Sequence, residues 1–198
     1  MAARVDPTRR RSGLATAGSG SRRFDLALER VRALTYRPEF SVVEAPGPAR
    51  LAPHSYAQTV DVEVEGMPVG SGRLVILHDP VGQPSWNGSL RIVSYVDANI
   101  DMEVAADPML PEVGWSWLLE ALADSPVAAE AVGGTVTAVG SQSFGVMKDR
   151  APEGRLQIRA SWTPLSMDDL PDHAHAWALL VAFACGLPTN PDVAHLHN

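Results

Sequence analysis

The strongest helical pattern of apolar residues lies in the middle of the chain, in DPMLPEVGWSWLLEALAD at residues 107–124. Pro111 suits the first turn of a helix, because its missing N–H would have no partner there. One apolar stripe contains Val113, Trp117 and Ala121, and the next contains Gly114, Leu118 and Leu122. A helix that is apolar over more than half of its circumference is normally buried on two sides. We therefore expect this central helix to organise the core.

The central helix carries two tryptophans that point in different directions. Trp115 and Trp117 are two residues apart, which separates them by roughly 200° around a helix. We expect Trp117 to be a core residue. Trp115 is either a second core residue or a contact with another layer, a partner chain or a ligand.

Two further segments have helical patterns. Residues 24–36 have a single apolar stripe opposite charged residues, and Pro38 ends the pattern. Residues 169–185 begin with a Leu-Pro-Asp start signal and end before Gly186. Every residue from Ala176 to Cys185 is apolar, so we expect this last helix to be deeply buried.

Six segments have the alternation or the apolar runs typical of β-strands. They are residues 40–44, 59–65, 73–77, 90–100, 134–139 and 155–163. The first is short and is followed by a proline-rich stretch, so we expect a sheet of about five strands. Residues 66–72 predict a turn, and residues 78–88 predict a loop inside a hairpin formed by segments 73–77 and 90–100.

The sequence predicts an α+β fold, since strands and helices do not alternate as they do in doubly wound proteins. The expected antiparallel sheet of about five strands and three helices has the order α-β-β-β-α-β-β-α, with the helices mostly on one face. Residues 1–22 are rich in Arg, Gly, Ser and Ala without periodicity, which predicts a disordered basic tail. A single domain at residues 23–188 and a C-terminal tail at residues 189–198 complete the chain.

The composition is that of a globular protein, with 45% hydrophobic and 20% charged residues. No apolar run reaches membrane-spanning length, and no hydrophobic stretch follows the N-terminal arginines as it would in a secretory signal. The single cysteine, Cys185, excludes an internal disulfide and a cysteine-rich zinc site. We therefore expect a cytoplasmic protein.

The net charge of −7 is distributed unevenly along the chain. Residues 1–23 contain six arginines and one aspartate, a net charge of +5, so the remainder carries −12. An acidic body argues against a nucleic-acid-binding face. The run Arg9-Arg10-Arg11 is the exception, because it could contact RNA, DNA or an acidic partner.

His78 and Asp79 are the first candidates for chemistry, since a carboxylate could orient a histidine base at the end of a strand. Adjacent strand residues point to opposite faces, however, and an Asp-Pro turn accounts for Asp79. Ser141 and Ser143 in GSQSFG lack the pattern of a nucleophile elbow. Cys185 lies within an apolar helix, which predicts an inert core residue.

A metal site would have to form near His173 and His175, beside a group of aspartates. Those aspartates are Asp168, Asp169 and Asp172. The two histidines do not face each other on a helix, and aspartates at a helix start are explained by capping. His195 and His197 lie in the C-terminal tail. We therefore predict no metal and no cofactor.

Four sequence blocks resemble a family of small actinobacterial proteins catalogued as a domain of unknown function. They are LPEVGWSWLLEAL, RLVILHDP at residues 73–80, GSQSFG at residues 140–145 and RASWTPL at residues 159–165. This resemblance implies no catalytic residues. The expected element order is also similar to the type III secretion chaperone-like fold, whose members are typically homodimeric peptide binders, and that similarity implies a binding role.

The tryptophans exceed what one small core needs, and tryptophan is favoured at protein interfaces. They are Trp86, Trp115, Trp117, Trp162 and Trp177. We expect a non-enzymatic peptide- or protein-binding protein, chaperone- or adaptor-like and homodimeric, whose binding residues are Trp115, Trp86, His78, Asp79 and Arg159. One alternative is a small-molecule enzyme with a pocket between the sheet and the central helix, using His78, Asp79 or Arg159. Another is a nucleic-acid accessory protein that acts through the arginine-rich tail.

Overall fold

The computed structural model describes the backbone of residues 8–188 and the side chains of residues 20–188. The helices are α1 (Thr8–Arg32), α2 (Met102–Ala105), α3 (Leu110–Asp124) and α4 (Leu170–Ala184). The strands are β1 (Phe40–Ala45), β2 (His54–Val64), β3 (Met67–Gln83), β4 (Gly88–Ile100), β5 (Ala129–Ser141) and β6 (Glu153–Pro164). Short 3-10 turns occupy Pro84–Trp86 and Gly145–Met147. The predicted α+β class is confirmed.

The strands form one antiparallel sheet in the order β1-β2-β3-β4-β6-β5. The predicted hairpin of β3 and β4 is confirmed. The sheet has six strands rather than about five, because β1 pairs along its whole length with β2. Four strands therefore precede the central helix, where three were expected. The likeness to the chaperone-like fold rests on the expected order, from which the structure differs by this one strand.

The turn predicted at residues 66–72 is wrong, because β2 and β3 are joined by Glu65 and Gly66 alone. Both residues have positive φ, at 52° and 78°, as the tightest hairpin turns require. Gly70 and Gly72 lie within β3 instead. A Cβ at Gly72 would lie 3.1 Å from the side chain of Val181, so this glycine lets helix α4 approach the sheet.

The helices lie on one face of the sheet, which we call the inner face. Helix α4 packs between α1 and α3 over the central strands, and the prediction that it is deeply buried is confirmed. Helix α3 packs on β5. Its buried stripe is Leu110, Gly114, Leu118, Ala121 and Leu122. Val113 and Leu119 are exposed, so α3 is not buried on two sides as its composition suggests.

The opposite, outer face of the sheet carries mostly polar side chains. At one end, Ala52 and Trp86 cover a small apolar cluster of Ala57, Val75 and Leu77. Arg73, Tyr95 and Arg159 follow one another across β3, β4 and β6 on this face. The sheet is therefore a platform with a packed inner side and a polar outer side.

Helix α1 begins at Thr8, well before the predicted start at Phe24, and ends at Arg32 rather than Tyr36. It therefore includes residues 8–22, for which composition predicts disorder. Arg, Ala and Leu in this segment are good helix formers, so a helix anchored at Phe24 can continue backwards. The C-terminal tail at residues 189–198, with His195 and His197, lies outside the described residues. None of the described helices combines the length and the apolar character that crossing a membrane would require.

Candidate functional site

His78 lies on the inner face of β3 and is only 2% exposed. Its ring stacks on Phe24 of helix α1 and on His54 of β2, at centroid distances of 5.1 and 5.4 Å. Burial, followed by the charge of His54, lowers the pKa of His78 below its ordinary value. Nδ1 of His78 has no hydrogen-bond partner among the described residues. Its contacts make His78 an anchor for α1 rather than an accessible base.

Asp79 lies within β3, which continues with an irregular register from His78 to Gln83, so the loop predicted to begin at residue 78 is wrong in its start. Its Oδ1 accepts a hydrogen bond from the backbone N–H of Val81 at 3.0 Å, and its Oδ2 accepts one from Nε2 of Gln83 at 3.2 Å. Oδ1 therefore stabilises the local backbone, as an aspartate does in an Asx turn, and Oδ2 holds the side chain of Gln83. Asp79 does not contact His78 through any of these bonds.

Arg159 lies on the outer face of β6, with its guanidinium 5.5 Å from the ring centre of Tyr95. Tyr95 donates a hydrogen bond to Asp97, which also accepts one from Gln157. These are structural cross-strand contacts on an open surface. His78 and Arg159 are on opposite faces of the sheet, so one pocket cannot use both.

Trp86 also lies on the outer face, where its ring packs on the small cluster around Val75 and Leu77. Its backbone carbonyl accepts a hydrogen bond from the hydroxyl of Thr163. Trp86 thus covers an apolar patch at one end of the sheet. It lies on the opposite face of the sheet from Trp115, which belongs to the helical layer.

His173 is completely buried beneath β6. Its Nδ1 accepts a hydrogen bond from Nε1 of Trp162 at 3.2 Å, and burial lowers the pKa of His173 to about 4. His175 is exposed on the other side of α4. Within residues 8–188, no three residues of the types His, Cys, Asp and Glu are grouped so that they could hold a metal ion.

Cys185 packs against β3, where a Cβ at Gly70 would lie only 2.5 Å from its Sγ. Burial raises the pKa of the Cys185 thiol to about 12, which leaves it without nucleophilic thiolate near neutral pH. Ser141 and Ser143 lie at the end of β5 and in the following loop, and Arg9, Arg10 and Arg11 fall in the first turns of α1, where side chains are not described.

The two tryptophans of α3 diverge as the helical geometry predicts. Trp117 lines a groove on the α4 side with Phe183 and Cys185, so it lies at the margin of the core rather than inside it. Trp115 lines an open groove of about 480 Å³ on the opposite side, against Gly134 and Val136 of β5. The groove beside Trp115 therefore adjoins one edge of the sheet.

That edge is strand β5, which pairs with β6 on one side and is the last strand of the sheet on the other. Residues 131–147 contain no charged residue and no proline. The hairpin loop after β5 exposes three large apolar side chains, with Val146 fully exposed, Phe144 71% exposed and Met147 46% exposed. We call the β5 edge, the groove beside Trp115 and these three side chains the β5 surface.

The β5 surface contains Trp115, which the sequence singled out, and several residues that it did not. The sequence pattern alone indicates no role for Phe144, Val146 or Met147. The signal that could have found them is the long uncharged stretch around them, because edge strands normally carry charges that prevent pairing with other chains.

Comparison with known proteins supports the resemblance seen in the central sequence blocks. No curated protein and no solved structure matches the chain. A family model described as a protein of unknown function (DUF3000) matches residues 20–194, which is most of the chain. The protein therefore belongs to the DUF3000 family.

Proposed function

We propose that this protein is a cytoplasmic, non-enzymatic protein-binding protein, chaperone- or adaptor-like, that pairs a β-strand of its partner with the free edge of β5. Strand addition supplies main-chain hydrogen bonds for affinity, and neighbouring pockets supply selectivity. The observation that carries the proposal is an edge strand of 13 residues that carries no charge after Glu130.

Proteins protect long edge strands by shortening them, by placing charges or prolines in them, or by covering them. From Gly133 to Ser141, β5 has none of these charges or prolines, and its side chains are mostly exposed. A strand of this kind would pair with other chains non-specifically unless it had a regular occupant. We infer that β5 has one.

The surroundings of β5 supply apolar anchors for that occupant. Trp115 is half-buried beside the inner side of the edge, and Leu119, one helical turn later, is 47% exposed. Phe144 and Val146 extend the apolar area beyond the end of the strand. Exposed aromatic and aliphatic side chains next to a free edge are typical of an interaction site.

The enzyme alternative loses its support from the same geometry. It requires His78, Asp79 or Arg159 to meet in a pocket beneath the central helix. His78 is enclosed by Phe24 and His54, and Arg159 lies on the outer face. The groove between the central helix and β5 is lined by Pro111, Glu112, Trp115, Gly134 and Val136.

A capture experiment with an edge-blocked variant tests the proposal. Thr135→Glu with Thr137→Glu places two charges on exposed positions of β5, opposite Arg159 and Gln157, where the folded chain tolerates them. Ser41→Glu with Val43→Glu is the matched control on exposed positions of β1. Partners from an extract of the source cells should bind the wild type and the control but not the β5 variant. Equal capture by a folded β5 variant would contradict the proposal.

A further inference from the structure

We propose that the strand which pairs with β5 is β5 of a second copy of this chain, so that two sheets join into one of twelve strands across a two-fold axis. This inference rests on the proposed function, since it names the occupant of the same surface. It predicts a homodimer held by an antiparallel β5–β5 pair, with the two copies of helix α3 side by side.

Charge favours a second copy at this place. Outside residues 1–23 the chain carries a net charge of −12, so two copies repel each other over most of their surfaces. Residues 131–147 carry no charge, and like charges therefore do not oppose each other when two β5 strands pair. The strand edge is thus a place where two acidic chains can pair without opposing charges, and Glu112 is the acidic residue that lines the groove beside it.

The helical layer is compatible with the same symmetry. Helix α3 packs on β5, and its neighbour α4 lies on the side away from the edge. Trp115 and Leu119 occupy the side of α3 that a second α3 would approach when the sheet continues across the axis. The pairing therefore covers two half-exposed apolar side chains on each copy together with the strand edge, in the isologous manner of two-fold dimers.

The symmetry makes a sharp geometric requirement. Side chains directly opposite each other in an antiparallel pair point to the same face, and successive side chains alternate between faces. A two-fold axis perpendicular to the sheet must therefore place one residue directly opposite its own copy, with the axis midway between the two. The Cα atoms of that residue pair are roughly 4.5–5.5 Å apart, which is within the range of a disulfide.

A cysteine scan detects this residue. The background variant is Cys185→Ala, which removes the natural thiol, and single cysteines replace each residue from Gly133 to Ser141 in turn, except Gly134 and Gly140, where a Cβ would overlap Arg159 or Met102. Val43→Cys, exposed on the other edge strand, is the control. After mild oxidation, cross-linked dimer should peak at one position, fall off on both sides of it and be absent from the control. Equal cross-linking along β5 and at Val43 would overturn the inference.

Sedimentation equilibrium separates this inference from the proposed function. The wild type should be a dimer at micromolar concentration, and Thr135→Glu with Thr137→Glu should weaken association by about 100-fold or more, because like charges then face each other. A monomeric wild type overturns the homodimer. If the β5 variant nevertheless loses captured partners, the proposed function stands with another protein in place of the second copy. If capture is also unchanged, both are wrong.

Discussion

The two edges of the sheet are built in opposite ways. Strand β1 has six residues, lies between Pro38 and Pro46, and carries Glu44, which pairs with Arg32 of helix α1 at 2.8 Å. Strand β5 has 13 residues and is uncharged from Ala131 onward. Short length, a charge and flanking prolines are the usual means of preventing edge-to-edge association. The difference teaches that the two edges are unequally protected, since β1 has features that hinder pairing and β5 lacks them.

The largest expected effect on stability comes from the close contact between β5 and β6. A Cβ at Gly134 would overlap the carbonyl oxygen of Arg159, whereas one at Gly133 meets nothing within 4 Å. Gly134→Val should therefore lower the free energy of unfolding by about 3 kcal/mol, and Gly133→Val by less than about 0.5 kcal/mol, in urea titrations. Similar losses in the two variants would mean that β5 is not held by close contact with β6.

Lowering the pH should reduce the free energy of unfolding through two buried histidines, one beneath each half of the sheet, although the two edges differ. The pKa of His173 under β6 falls from 6.5 to about 4 on folding, so the unfolded chain binds more protons between these pH values. The free energy of unfolding is therefore at its full value above pH 6.5 and declines as the pH falls towards 4. The full pKa shift of His173 corresponds to a loss of about 3 kcal/mol. The lowered pKa of His78, beneath the β1 half, acts in the same direction.

The pH dependence is measured by urea titration at several pH values. His173→Gln keeps an acceptor for Trp162 and should reduce the acid-dependent loss of stability, whereas His175→Gln, at an exposed position, should leave it unchanged. An identical pH profile for the wild type and His173→Gln would contradict this account of the buried histidine.

A smaller effect is expected from a buried amide on the β1 side. Gln58 is 2% exposed, accepts a hydrogen bond from Tyr56 at 3.0 Å and donates one to Tyr36 at 2.7 Å. Gln58→Leu leaves two tyrosine hydroxyls without this partner and should cost about 2 kcal/mol in thermal or urea unfolding. Gln142→Leu, exposed beyond β5, is the control. A neutral Gln58→Leu would show that the β1 half does not depend on this network.

The smallest effect concerns the ion pair at the β1 edge. The hydrogen bond from Arg32 lowers the pKa of Glu44, but both side chains are about half exposed. Glu44→Gln should therefore cost only about 0.5 kcal/mol, and less in high salt. We expect Glu44 also to hinder pairing at β1, so association of Glu44→Gln beyond that of the wild type, seen by sedimentation, would sharpen the comparison. A large loss of stability would contradict it.

Much of the fold follows from local pattern, because β2, β4, β6 and α4 each have the periodicity of their final environment. The turn at residues 66–72 was misplaced for a tertiary reason, since Gly70 and Gly72 make room for α4 and do not bend the chain. The residues of the strand do not show whether a glycine belongs to a chain turn or makes room for a helix that packs on the strand. The burial of Trp117 was overestimated for a similar reason, because the stripe around Gly114 and Leu118 packs closest to the sheet.

The candidate site was less predictable than the fold. The divergence of Trp115 and Trp117 follows from the helix repeat alone, and the opposite faces of His78 and Asp79 follow from strand alternation. Whether β5 lies at an edge depends on β6 entering the sheet between β4 and β5, which no local pattern in either strand indicates. The placement of Arg159 on the face opposite His78 likewise requires the register of β6 on β4.

The strand order also governs how the molecule can assemble from its unfolded chain. Strands β1 to β4 are joined in sequence and can form a meander by successive local steps, but β5 has no neighbour until β6 has been made. The β5–β6 hairpin must then dock as a unit against β4. This step closes a longer loop of chain and is therefore slower. On a ribosome, the open edge is therefore the final part of the sheet to be completed.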